Sequence, residues 1–220
     1  PLKSGGRDHI ENFGMLLRRV NEPRADLPFD KFSEQAKRKR DSVDADLAGT
    51  LTQESGLAIG KQWFDEFVVT HGDALRSAPD PALTTYLGST ANLMVAFQSR
   101  EIEGCAKLSL GIDFDPSEMS PRIQDAVQRN KIDMIRAMAA GERNPHERAL
   151  PSTDDYVALG SKMRALGAGE RLMEIAGDEA QLKQASAEDQ CNVGVILYQA
   201  AKALPGKQST RIAADLLSPE

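Results

Sequence analysis

Runs of β-branched and aromatic residues, from which β-strands are usually built, are nearly missing from this chain. The strongest such run is FVVT at 67–70, and no second strand is found with which a sheet could begin. Aromatic residues make up only 5% of the chain, and good helix formers such as Ala, Leu, Glu and Lys supply nearly every periodic segment. The sequence therefore predicts an all-α protein, a single irregular bundle of about seven to eight helices.

Apolar residues recur at helical spacing in segments that Pro and Gly separate. We expect one domain over residues 1–220, with residues 1–6 flexible. Helices are predicted over 8–21, from Asp30 with a break or bend at 49–60, from Asp80 to about Gly104, over 121–140, after Ser152 or Thr153, after the GAG at 167–169, over 187–204, and briefly near the end of the chain.

Two of these helices carry patterns that can be checked. The helix at 187–204 is apolar on two nearly opposite faces, so we expect it near the centre of the bundle, and Ser186 with Asp189 resembles a capping box at its start. The helix that Ser152 or Thr153 can cap carries four apolar residues, Val157, Leu159, Met163 and Leu166.

The charge balance limits the kinds of partner. The chain has 27 basic and 33 acidic residues, a net charge of -6, which disfavours a broad nucleic-acid-binding surface. No apolar run approaches the roughly 20 residues that a membrane span requires. Because the chain begins at Pro1, and PLKSGG lacks the features of a signal peptide, we expect upstream sequence to have been removed.

The two cysteines, Cys105 and Cys191, lie 86 positions apart and cannot form a CxxC redox or zinc motif. Three interpretations stay open: a disulfide, two reduced core thiols, or one nucleophile and a bystander. Glu188 and Asp189 would oppose a thiolate at Cys191, which disfavours the nucleophile. A disulfide would place the protein in an extracytoplasmic, periplasmic compartment, and reduced thiols would place it in the cytoplasm.

The candidate catalytic residues gather in WFDEFVVTHGD, where His71 stands near Asp65, Glu66 and Asp73. His71 follows aromatic residues at helical spacing, so its ring is expected beside the aromatic face of its own helix. Asp65 and Glu66 project about 100° apart on a helix, and these groups do not converge locally. An active site here would need partners from elsewhere in the chain.

Motifs for metals and cofactors are missing from the sequence. The three histidines form no HExxH pair, and Asp113 with Asp115 lacks the central glycine of a calcium loop. LPGKQST contains Gly-Lys without the earlier glycine of a phosphate-binding loop. We therefore expect no cofactor and no metal.

These observations favour a non-catalytic helical module that binds another protein, as a soluble extracytoplasmic domain of a larger bacterial-type protein. The alternative is an enzyme whose site is assembled around His71 with Asp65, Glu66 and Asp73. A third hypothesis is a cytosolic regulator with an apolar ligand pocket between helices. The sequence predicts a protein partner, no nucleic acid and no membrane span.

Overall fold

The computed structural model describes residues 64–112 and 119–218. Residues 64–71 are helical and belong to the first of two compact units, Pro1–His71, and the second unit is Gly72–Glu220. The second unit opens with the short 3-10 turn Gly72–Leu75. Its described α-helices are α1 Asp80–Gln98, α2 Ile102–Ser109, α3 Pro121–Arg143, α4 Thr153–Ala165, α5 Glu170–Ala176, α6 Glu179–Gln184, α7 Ala187–Lys202 and α8 Gly206–Leu217.

No strand occurs in 64–112 or 119–218, which confirms the all-α class. FVVT, the best strand candidate, is helical. The helix predicted at 8–21, the start of the helix predicted from Asp30, the break at 49–60 and the flexible start at 1–6 lie outside the described residues. The single domain over residues 1–220 stays a prediction.

Helix α7 lies at the centre of the second unit, as its two apolar faces predicted. It packs against α1, α2, α4, α5, α6 and α8. Cys191 and Val195 are buried on one face, and Val193 and Ala200 are buried on another. A helix that is covered on both sides cannot present either face to solvent.

The central core forms where α1, α2 and α3 meet α7. Phe97 and Met94 of α1 are fully buried there, and Ile123 of α3 is fully buried opposite them. Burying a large apolar side chain contributes about 1.5–3 kcal/mol, so this cluster is a main source of stability. Its members are Leu93, Met94, Phe97, Cys105, Ile123, Val127, Cys191 and Val195.

The prediction that one regular helix runs from Asp80 to about Gly104 is wrong. Helix α1 ends at Gln98, and α2 begins at Ile102 after a short connection. The chain turns at Glu101, whose backbone is not helical, with φ of -137° and ψ of 68°, and which is the N-cap of α2. Cys105 therefore lies on a separate short helix that packs on α7.

A glycine allows α2 and α7 to approach each other closely. A Cβ at Gly194 would lie 2.5 Å from Cε of Met94 and 2.9 Å from Cβ of Ser109. The flexible Met94 side chain can rotate away from such a Cβ, but Cβ of Ser109 is fixed to the backbone of α2 and would have to shift with it. The approach brings the short helix α2 against the middle of α7.

Side-chain caps begin several of the helices. Ser152 accepts from the Asp155 N–H in a full capping box, and Asp178 accepts from two N–H groups at the start of α6. The predicted Ser186 cap is confirmed, since its hydroxyl accepts from the Asp189 N–H. In a full capping box the Asp189 carboxylate would accept from the Ser186 backbone N–H. Here it accepts instead from the Ser186 hydroxyl and from Arg171.

Candidate functional site

The structure places His71 beside an aromatic ring of its own helix, as predicted. Its ring centroid lies 4.8 Å from that of Phe67, and the imidazole is half-buried. Asp65 is half-buried and Glu66 is exposed on the same helical segment, while Asp73 is exposed in the 3-10 turn of the second unit. A catalytic role for His71, Asp65, Glu66 and Asp73 stays a prediction.

The structure brings Cys105 and Cys191 together. Their sulfur atoms lie 1.97 Å apart, at disulfide distance, and their Cα atoms lie 5.0 Å apart. Both side chains are fully buried in the core between α2 and α7. Of the three interpretations, a bridged pair fits this arrangement, and a solvent-accessible nucleophile does not.

The described residues contain no group of three or more His, Cys, Asp or Glu side chains that could hold a metal ion. Asp113 and Asp115 lie outside the described residues. Among the described helices, none is long and apolar enough to cross a membrane.

Several hydrogen bonds hold the carboxylate of Asp155, in the first turn of α4. The residue is 1% exposed, and Arg211 of α8 donates to both of its oxygens, from Nη2 to Oδ1 at 2.6 Å and from Nε to Oδ2 at 2.8 Å. The backbone N–H and the hydroxyl of Ser152 also donate to Oδ2. The Arg211 guanidinium and these Ser152 donors hold the pKa of the carboxyl well below its usual range.

A second arginine fastens the segment 144–151, which connects α3 to α4. The Arg148 side chain is 7% exposed, and its guanidinium donates to the carbonyls of Arg76 and Ala78 and to the Asp80 carboxylate. The hydrogen bonds from Arg148 lower the pKa of Asp80. This connecting segment is therefore anchored at its middle, although most of its residues are exposed.

Large apolar side chains are exposed next to these two anchors. Leu150 is 74% exposed, Val157 is 62% exposed and Tyr156 is 45% exposed. They fall within eight residues at the start of α4, and they are three of the seven large exposed hydrophobic residues among the described part of the chain. We call Leu150, Tyr156 and Val157 the α4 surface.

Tyr156 also links the α4 surface to α8. Its hydroxyl donates to Oδ2 of Asp215 at 2.7 Å, and this hydrogen bond raises the pKa of Tyr156 to about 12. The ring therefore stays neutral over the whole physiological range. Tyr156 and Asp155 together join the first turn of α4 to α8 at two places.

The sequence marks Val157, Leu159, Met163 and Leu166 alike as the apolar residues of this helix, which gave no sign of an exposed apolar surface. Val157 and Leu166 are exposed, while Leu159 and Met163 are buried. Val157 lies 200° around the helix from Leu159, so the two cannot share a face. The angular difference was readable in the sequence and would have separated the two positions.

The comparisons with known proteins add no further information. No family model matches this chain, and no curated protein and no solved structure is significantly similar to it.

Proposed function

We propose that this chain is a non-catalytic helical module that binds another protein through the α4 surface, as an extracytoplasmic domain of a larger bacterial-type protein. The proposal is supported above all by the concentration of exposed apolar side chains at 150–157. Apolar groups gathered on an otherwise polar surface are typical of protein-binding sites. An interface would remove Leu150 and Val157 from water, which is favourable in proportion to the apolar area buried.

The polar groups around the α4 surface support binding rather than catalysis. Asp155 and Arg211 pair through two hydrogen bonds, and Arg148 donates to two carbonyls and to Asp80. Groups engaged in this way hold a backbone in place. A surface that is rigid before binding loses little conformational entropy when a partner docks, so even a small apolar contact becomes useful.

The cysteine pair supports the proposed compartment. Cys105 and Cys191 have their sulfur atoms at disulfide distance, and structural disulfides persist in oxidising compartments such as the periplasm. A bridge in the core of a binding module fits an extracytoplasmic domain.

The test is a photo-crosslinking amino acid at position 157 of the full chain, in the cells that naturally make the protein. We expect one adduct of discrete mass from this position. The matched control carries the same crosslinker at Val95, a 40% exposed side chain on α1, and should give no such adduct. Leu150→Ser should abolish the adduct formed at 157 and leave the circular dichroism unchanged.

Equal adducts from positions 157 and 95, or an adduct from 157 that survives Leu150→Ser, would contradict the proposed binding site. Both positions are exposed valines, 62% at Val157 and 40% at Val95, so a specific contact should give a far larger difference in adduct than their exposure does.

A further inference from the structure

Helix α3 carries four arginines at an interval of seven residues. They are Arg122, Arg129, Arg136 and Arg143, and each of them is exposed. At 1.5 Å per residue, neighbouring members lie about 10.5 Å apart and the row extends over about 32 Å. Because seven residues fall about 20° short of two full turns, the row drifts by only about 60° and stays on one side of the helix.

Among the residues that the structure describes, no hydrogen bond or ion pair between helices is found for this row. The side of α3 that faces the core carries Ile123, Val127 and Met138. The bonds found for the row among the described residues stay within α3: Arg136 pairs with Asp133 at 3.4 Å, and Arg143 donates to the carbonyl of Ala139. No arginine of the row is seen to tie α3 to another described helix.

We propose that the arginine row of α3 is a docking surface for an acidic helix of another protein, which presents carboxylates at the same interval of seven residues. A guanidinium matches a carboxylate in a two-pronged arrangement, and Arg is favoured where that pairing recurs. The slow left-handed drift of the row follows the path of a second helix that crosses at about 20°. Asp125 and Asp133 lie near the row, and four arginines against two carboxylates leave it positive.

Other occupants fit the row less well. The same face of a second copy would bring arginines against arginines, which is repulsive. A nucleic acid would meet a chain whose net charge is -6. A lipid surface would be held by charge alone, because none of the large exposed hydrophobic residues of the described chain lies on α3. An acidic helix with carboxylates at the same interval matches the row in both charge and spacing.

The inference supplies the chemistry of a partner and so rests on the proposed binding role, but it concerns a different face from the α4 surface. Exposed ion pairs contribute little each and are screened by salt. We therefore expect weak binding whose rate of association and affinity both fall steeply as salt is added.

The experiment measures fluorescence anisotropy of a synthetic helical peptide that carries Glu at every seventh position, titrated with the full chain at low salt. A peptide of identical composition, with the same Glu residues spread around the helix, is the first control. At low salt we expect the in-register peptide to bind about ten-fold more tightly than the spread peptide. Added salt screens the charges, so the in-register peptide should then bind about ten-fold more weakly than it does at low salt.

Variants locate the contact. Arg129→Gln with Arg136→Gln should weaken binding of the in-register peptide about ten-fold. Arg100→Gln with Arg164→Gln removes the same charge from exposed arginines outside the row and should leave the binding unchanged. Circular dichroism of both double variants should match that of the wild type, because the exchanged side chains are exposed.

Three results would overturn the inference: equal binding of the two peptides, equal binding of the two double variants, or no saturable binding up to about 1 mM peptide. Tighter binding of phosphatidylserine vesicles or duplex DNA than of the in-register peptide would also reject it, since the row would then recognise another polyanion. The crosslink from position 157 is read separately, so failure at α3 leaves the α4 surface intact.

Discussion

Asp155 shows how one side chain can serve both local and tertiary structure. It completes the capping box of α4 with Ser152, and its two oxygens also accept two hydrogen bonds from the guanidinium of Arg211 in α8. The local part follows from sequence, since Ser152 was a predicted cap and an acidic residue favours the N-terminal dipole of a helix. The tertiary part could not be predicted, because Arg211 is 56 residues away and no local pattern connects the two positions.

Asp155→Asn should destabilise the protein at neutral pH, because it leaves the guanidinium of Arg211 without a charged acceptor. We expect the Tm at pH 7 to fall by roughly 5 °C or more. The folded-state pKa of Asp155 lies below its unfolded value, so its contribution is complete above about pH 4 and is lost as pH falls below that. The Tm difference between wild type and variant should therefore narrow in acid.

Thermal unfolding followed by circular dichroism between pH 7 and pH 2 measures this difference. Asp154→Asn is the matched control, because it removes an exposed carboxylate from the same first turn. A wild-type advantage over Asp155→Asn that stays constant down to pH 2 would show that the charge of Asp155 is not what stabilises the fold.

At the scale of the helix, the sequence predicts α7 well and α2 poorly. The cap at Ser186 and the two apolar faces of α7 were readable, and the structure confirms both. The end of α1 at Gln98 carries neither Pro nor Gly, so the pattern gave no sign of a turn there.

Helix α6, Glu179–Gln184, was also missed, because a six-residue helix is too short to show a period. Its last carbonyls are satisfied by Gln190 of α7, a tertiary contact that no local pattern reveals.

Gly194→Ala should push α2 away from α7, because the added methyl group would meet Cβ of Ser109 at 2.9 Å and Cε of Met94 at 2.5 Å. We expect a loss of about 1–3 kcal/mol in the free energy of unfolding, measured by urea denaturation. Gly88→Ala in α1 is the control: nothing lies within 4 Å of its added Cβ. That substitution should stabilise the protein by up to ~1 kcal/mol. A similar effect of both substitutions would mean that α2 and α7 are not closely packed at Gly194.

At the scale of the second unit, the fold depends on contacts between residues far apart in sequence. The prediction that α7 lies at the centre came from counting its apolar faces, whereas its neighbours could not be identified in that way. The same limit applied to the cysteines. Sequence placed both of them on helices and left their pairing open, and only the approach of α2 to α7 brings Cys105 within 5.0 Å of Cys191, measured between Cα atoms. The α4 surface depends in turn on α8, which holds it through Arg211 and Asp215.

The pairing of Cys105 with Cys191 joins the middle of the second unit to its central helix, so removing it should loosen the whole unit. The bridge would close a loop across a separation of 86 residues, which restricts the unfolded chain. We expect Cys105→Ala with Cys191→Ala to lower the free energy of unfolding by about 2–4 kcal/mol. Wild type in reductant should lose a similar amount of stability, while reductant should leave the double variant unchanged.

Protein purified from its natural cells should gain about 2 Da on reduction. Two thiols that alkylate without reductant in that protein would contradict both the bridge and the extracytoplasmic compartment, because a fully oxidised pair offers no thiol to the reagent.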